Sequence, residues 1–269
     1  MPEAAATRTA GDAMALPVFE RVTVHATPLA DGIAREAGWM ADAAATGRAA
    51  AHLWSAPEGL VVPRSYERLP LFDAACRAAA AEGWPVQVRV SGGGIVPQGP
   101  GVLDLSLVWR SDSAAPARTD AIYRALCDRL AAAFAGMGIA AAPQEVQGSF
   151  CDGRFNLAVG GRKLVGTAQS WRRVGSVPAV LVHAVILAGG DTARLTERAN
   201  AFEAAAGSAR RYRADALTSV EQSWCDAHGH PSPPADLPTR LLAALTGQFA
   251  RRTRTPAARE ADPWICRQP

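Results

Sequence analysis

Apolar positions recur along the chain at two spacings, and the switches between them outline its elements. Residues 18–26, VFERVTVHA, alternate apolar with polar and predict a strand. Ile33, Ala37, Met40 and Ala44 then fall at helical spacing between Ala30 and Ala45, with Asp31 placed to cap the start and Gly47 to stop the end. Two short apolar runs in 51–62, AHLW and LVV, flank Pro57-Glu58-Gly59 and predict strands around a turn. Pro70 to Glu82 predicts a helix with proline at its start and Gly83 past its end. Val86 to Val90 predicts a strand that breaks at Ser91-Gly92-Gly93-Gly94, and Val102 to Trp109 alternates into a strand with one polar face.

The second half opens with a helix over Thr119 to Met137, capped by Thr119 or Asp120 and followed by Gly138. Phe155–Val159 and Lys163–Gln169 predict a hairpin about Gly160-Gly161, a pair that suits a primed turn. Val177 to Leu187 is a long apolar strand, and Thr192–Ala206 and Leu237–Ala250 read as helices, the last one after the proline-rich PSPPADLP. Runs of strands broken by irregularly placed helices predict an α+β fold, a mixed or antiparallel sheet flanked by helices. The expected organisation is a single domain over 18–250, between a loose N-terminal tail (1–17) and an Arg- and Pro-rich C-terminal tail (251–269).

Composition narrows the function classes. A chain of 269 residues that is 49% hydrophobic and 20% charged has enough apolar content for a self-supporting core and too much for wholesale disorder. It holds no run of about eighteen apolar residues, so no membrane-spanning helix is expected. A net charge of +3 gives no footprint for nucleic acid. Cys76, Cys127, Cys151, Cys225 and Cys266 are scattered and form no CxxC pair, which argues against a metal centre or a disulfide framework. With no apolar leader in the first 17 residues, the expected location is a reducing cytoplasm.

The basic residues are 27 arginines and a single lysine, Lys163. Arginine serves at nearly any solvated position, but not where a compact ammonium, or one able to lose its proton, is required. Lys163 is therefore a candidate for chemistry, against the plainer alternative of an exposed base beside a hairpin. Two further segments stand out. Arg89-Val90-Ser91-Gly92-Gly93-Gly94 lets backbone approach a ligand closely, although its spacing fits neither a P-loop nor a dinucleotide fingerprint and a simple turn would look the same. In Gly148-Ser149-Phe150-Cys151-Asp152-Gly153 the flanking glycines favour an accessible thiol, whereas Cys76 and Cys127 sit in helical patterns as packing residues. His183, inside LVHAVIL, reads as a satisfied core histidine.

Taken jointly, these segments resemble the biotin/lipoate protein ligase superfamily, and within it the cysteine-dependent octanoyl and lipoyl amidotransferases. Arg89 to Gly93 followed by Gly101-Val102-Leu103-Asp104-Leu105-Ser106-Leu107 is similar to that branch's R-x-S-G-G and E-G-V-L-N-L-S-L. Gly148 to Leu157 is similar to its G-S-[YF]-C-P-G-x-[FY]-D-L, and Gly161 to Gln169 to its G-[RK]-K-x-x-G-[ST]-A-Q. Gln98-Gly99 stands where ATP-dependent lipoate ligases carry His-Asp, Asp152 replaces a proline and Asp104 an asparagine.

The resemblance implies an acyltransferase. Cys151 would form a thioester with an octanoyl or lipoyl group and Lys163 would assist. Arg89, Ser91, Gly92, Gly93, Gly94, Gly166, Thr167 and Ala168 would bind substrate. It implies no metal and no cofactor, and as partners lipoyl-domain proteins, both the acyltransferase subunits of 2-oxoacid dehydrogenases and glycine-cleavage-type carriers, with acyl carrier protein as a further donor. The alternatives are a lipoate ligase using ATP and Mg, and a non-catalytic acyl or lipoyl binder of the same fold. Geometry sets one condition. Cys151 and Lys163 are 12 positions apart, and a straight hairpin would separate them by about 15–20 Å at about 3.3 Å per residue. Residues 147–153 must therefore fold back over the sheet for the two to cooperate.

Overall fold

A computed structural model describes residues 16–111 and 119–250. The two tails beyond these limits, with Cys266, lie outside the described residues. Two βαβ units start the fold. Strand β1 (Arg21–Val24) leads through helix α1 (Gly32–Thr46) to β2 (Ala50–Trp54), and β3 (Gly59–Pro63) leads through α2 (Phe72–Ala81) to β4 (Val86–Arg89). A helical crossover lets the flanking strands pair in parallel, and both pairs do. The remaining strands are β5 (Val96–Gln98), β6 (Val102–Arg110), β7 (Ala142–Pro143), β8 (Leu157–Val159), β9 (Arg162–Val174) and β10 (Val177–Leu187). They complete a seven-stranded sheet ordered β1-β2-β6-β10-β9-β8-β7 and a three-stranded sheet ordered β4-β3-β5.

Strands β2 and β3, expected to flank one turn, therefore belong to different sheets. Pro57-Glu58-Gly59 carries the chain from one sheet to the other. Both strands are buried throughout, so neither has the polar alternation that would fix a pairing register. The Gly160-Gly161 hairpin forms as expected, with φ of 55° and 77° at the two glycines and Val159 opposite Arg162.

The large sheet has two unlike faces. One carries Leu53, Leu105, Leu107, Val182 and Ile186 onto helices α3 (Thr119–Ala135) and α6 (Leu237–Phe249), whose Leu126, Leu130, Phe134, Leu241, Leu245 and Phe249 complete the main core. Leu16 and Phe19 also pack there. The opposite face carries Asp104, Ser106, His183, Val185 and Leu187 and is covered by α1 and the small sheet. The polar side of β6 thus turns into the interior rather than toward water. Beyond the small sheet, Leu60 and Val62 pack with α2 and α4 (Thr192–Ala205) in a second core.

Helix ends follow the sequence in part. Gly47 closes α1 in the left-handed conformation, its amide on the Ala43 carbonyl. Asp31 occupies the N-cap position, but its carboxylate accepts from Arg35 Nε at 2.7 Å and caps no amide. Thr119 and Asp120 are the first described residues of α3, and Asp120 holds Arg154 at 2.6 Å. Helix α5 (Val220–His228), capped by Ser219 and closed by Gly229, is an addition to the expected elements. Among the described residues no helix is long and apolar enough to cross a membrane.

Candidate active site

The space between the two sheets is a narrow, mainly apolar cavity. Val61, Val96 and Gln98 line it from the small sheet, Asp104, His183, Val185 and Leu187 from the large one, and Ile33 from α1. Cys151, Lys163 and the Gly166-Thr167-Ala168 stretch of β9 line the same cavity.

Residues 147–153 fold back as cooperation requires. Cys151 has φ 58° and is the one non-glycine with positive φ among the described residues. That conformation costs an L-residue about 1–2 kcal/mol, so its surroundings must hold it. They do so through the cysteine's carbonyl. Lys163 Nζ donates to it at 2.8 Å and to the Phe150 carbonyl at 2.6 Å, and Asn156 Nδ2 donates to it at 2.7 Å. Asn156 Oδ1 in turn accepts from the Thr167 amide at 3.3 Å, which ties the cysteine loop to β9.

Lys163 is buried although it is charged. Loss of water pulls its ammonium down to about 8, while Cys151 and Asp152 pull the other way and Arg89 adds to the lowering. Two of its three N–H donors are taken by the carbonyls and the third is left for the cavity. Gly166 makes room for it: a Cβ there would lie 3.1 Å from Nζ. The Phe150 ring lies 5.7 Å from the ammonium as a cation–π partner.

The glycine triplet packs on the cysteine. A Cβ on Gly93 would fall 2.4 Å from Cys151 Sγ, and one on Gly94 would fall 3.3 Å from the Cys151 amide nitrogen. Arg89 braces this loop, donating to the carbonyls of Val61, Gly92 and Gly94 at 3.1, 3.0 and 2.6 Å. Much of its guanidinium is thus committed to backbone, and its burial lowers its pKa. Gly92 has open space above it, so only its carbonyl takes part. On the other side Tyr66 accepts from the Ile95 amide, and both Tyr66 and Tyr212 donate to the buried Glu203 of α4. Arg210, Arg211 and Tyr212 then border an open cleft that reaches Gly93, Gly94, Cys151 and Asp152 from outside.

A family model described as "Lipoyl protein ligase A/B catalytic domain" matches residues 41–223. The chain belongs to this family. An uncharacterized protein of Cupriavidus necator is 45% identical over 73% of the chain and 80% of its own length. An octanoyl-[GcvH]:protein N-octanoyltransferase of Kyrpidia tusciae is 35% identical over 74% and 72%, and one of Geobacillus kaustophilus is 34% identical over 48% and 45%. The fold is similar to that of a lipoate-protein ligase A bound with ATP (TM-score 0.61, 16% identity, covering 86% and 85%). It is equally similar to a Thermoplasma acidophilum ligase homologue with bound lipoic acid (TM-score 0.61, 15% identity, the same coverage).

Within this lipoyl ligase fold, several residues that hold the cavity's lining in place carried no signal of their own in the sequence. Asn156 is one. Glu36 is another: it is buried on α1 and accepts from His183 Nδ1 at 3.0 Å and from Ser106 Oγ at 2.8 Å. His183 Nε2 meets Ser91 Oγ at 2.9 Å, so the histidine is satisfied as expected, yet it also lines the cavity. The bond places Ser91 behind the glycine loop as an anchor. Cys127, by contrast, is a packing residue. Its thiol donates to the Phe155 carbonyl at 3.3 Å and burial pushes it up to about 12.

Proposed function

We propose that the protein is an acyltransferase that carries a medium-chain acyl group, octanoyl or lipoyl, through a thioester on Cys151 to the ε-amine of a lysine on a lipoyl carrier domain. The observation that carries this reading is the left-handed Cys151, held by its carbonyl in the lining of a mainly apolar slot with the sole lysine of the chain beside it. The slot offers about 0.8 kcal/mol for each CH₂ it takes out of water, which favours an acyl tail over a small polar substrate.

In the first half, Cys151 Sγ attacks the acyl carbonyl of the donor. The S–C bond forms, the bond from that carbonyl to the donor's thiol or amine breaks, and the leaving group takes up the proton the cysteine gave. The free donor of Lys163 faces the carbonyl oxygen as negative charge develops there, in a mainly apolar site. In the second half the acceptor amine attacks the thioester, a C–N bond forms as the C–S bond breaks, and the amine's proton returns to the sulfur. Two moderate steps replace one difficult one. The open cleft bordered by Arg210 and Arg211 gives both carriers a route to Cys151. Relatives whose printed name gives octanoyl-[GcvH] as substrate support a glycine-cleavage-type carrier as donor.

Intact-mass measurement after mixing with octanoylated carrier protein tests the reading. The expected result is a hydroxylamine-labile octanoyl adduct that is absent from Cys151→Ala and moves to a lipoyl domain. Transfer by the wild type without that adduct excludes Cys151 as nucleophile. Robust pyrophosphate–ATP exchange in the presence of lipoate would instead mark a ligase.

A further inference from the structure

The residue that follows the nucleophile carries an uncommitted carboxylate. Asp152 is exposed and stands at the apex of a tight turn, closed by the Gly153 amide donating to the Cys151 carbonyl at 3.0 Å. Its Cα is one peptide, about 3.8 Å, from that of Cys151. Both residues line the open cleft from which a carrier would reach the sulfur, and among the described residues Asp152 is the one acid on that lining. It also stands where the chain departs from the proline of the motif it otherwise resembles.

Arginine is abundant nearby, yet none takes this carboxylate. Arg154, two positions on, pairs with Asp120 at 2.6 Å, and Arg213 pairs with Asp215 at 3.1 Å. Arg210 and Arg211 border the same cleft, but Arg210 donates to the Tyr66 hydroxyl at 2.8 Å and Arg211 to the carbonyls of Ser208 and Arg210 at 3.1 and 2.6 Å. Lys163 is near enough to feel the charge, while two of its donors are held by the Phe150 and Cys151 carbonyls. Among the described residues Asp152 makes no hydrogen bond or ion pair through its side chain.

An acceptor lysine arrives as a cation, since its ordinary pKa is about 10.4. In the cleft it meets two guanidinium groups that repel it and one carboxylate, beside the sulfur, that attracts it. We propose that Asp152 receives the ε-ammonium of the acceptor lysine and holds it against the acyl group on Cys151. This rests on the acyl-transfer reading above and deepens it by naming the residue that binds the second substrate. Capture changes no covalent bond. The extra proton of the ammonium passes to water in the open cleft before the C–N bond forms.

The test starts from full-length wild type and variants octanoylated with the octanoyl thioester of N-acetylcysteamine. Loss of the Cys151 adduct is followed by intact mass with two nucleophiles at about pH 7.5: Nα-acetyllysine amide, a cation, and hydroxylamine, which is neutral. Asp152→Asn is expected to lower the ratio of the lysine rate to the hydroxylamine rate by about fivefold, the scale of an ion pair in water. Asp152→Glu, which keeps the charge, is expected to restore most of it. The drop should shrink in 1 M salt, where charges are screened beyond about 3 Å. A merely distorted loop would slow both nucleophiles together and leave the ratio as it was. An unchanged ratio in Asp152→Asn, or a drop that salt does not reduce, overturns the proposal while the adduct itself upholds the thioester. Absence of any adduct in the wild type removes the thioester reading, and this inference with it.

Discussion

Lys163 grips Cys151 by its backbone: the ammonium donates to the cysteine's own carbonyl at 2.8 Å rather than to its sulfur. Position and charge are thereby supplied by one group. The same contact explains why arginine does not stand here in a chain that otherwise uses it throughout. A planar guanidinium would need to fit beside Gly166, where the lysine already lies so close that an added Cβ would fall 3.1 Å from Nζ.

Lys163→Arg is accordingly expected to lower acyl transfer by about 100-fold, in line with loss of an aligned donor at a developing oxyanion, despite retention of charge. Single-turnover acylation of Cys151 measures this. Transfer within a few-fold of wild type would show that any cation suffices.

The buried ammonium also makes stability depend on pH. Its pKa is lowered from 10.5 to about 8, so between these values the unfolded chain holds a proton that the folded chain has lost. Stability therefore rises with pH across that window, by about 1.4 kcal/mol per pH unit for this group, and the gain is absent below pH 8. Urea unfolding of wild type and Lys163→Met at several pH values isolates the effect. The stability difference between the two should shift in favour of wild type from pH 8 to pH 10, and a constant difference contradicts it.

Gly93→Ala should separate catalysis from folding. The new Cβ would fall 2.4 Å from Cys151 Sγ, at a residue with φ 110°. We expect acylation to drop at least about tenfold, with a loss of about 1–2 kcal/mol in stability from the strained backbone. Acylation at the wild-type rate would mean that the loop moves aside freely.

Asp191→Ala provides a contrast far from the chemistry. The Asp191 carboxylate accepts from the Ala193 and Arg194 amides at 2.9 and 3.0 Å and caps α4. Its removal should cost about 1 kcal/mol in denaturant midpoint experiments and leave the acylation rate per folded molecule unchanged.

Local signals made much of this structure legible. β10 has the expected bounds, and the Gly160-Gly161 turn follows from two glycines that accept positive φ. Pairing across distance was less legible. β2 and β3 are apolar on both faces, so nothing in either states which sheet it joins. The polar side of β6 was visible, but alternation looks the same whether that side meets water or a cavity. Asn156, Glu36 and Gln98 are single polar residues that become meaningful only when remote strands or helices arrive beside them. The proximity of Cys151 and Lys163 ran against the straight-hairpin distance, and it came from the folded-back loop that Asn156 helps to hold.

The cysteine loop and both of its clamps come from one short stretch of chain, 150–168, while the walls of the slot come from β3, β5, β6 and β10. Chemistry and selectivity are thus written in separable parts of the polypeptide. Exchanges at Val61, Val96, Val185 or Leu187 can reshape the tunnel for a different tail without touching the group that forms the bond. The protein is built as a fixed tool head in an interchangeable sleeve.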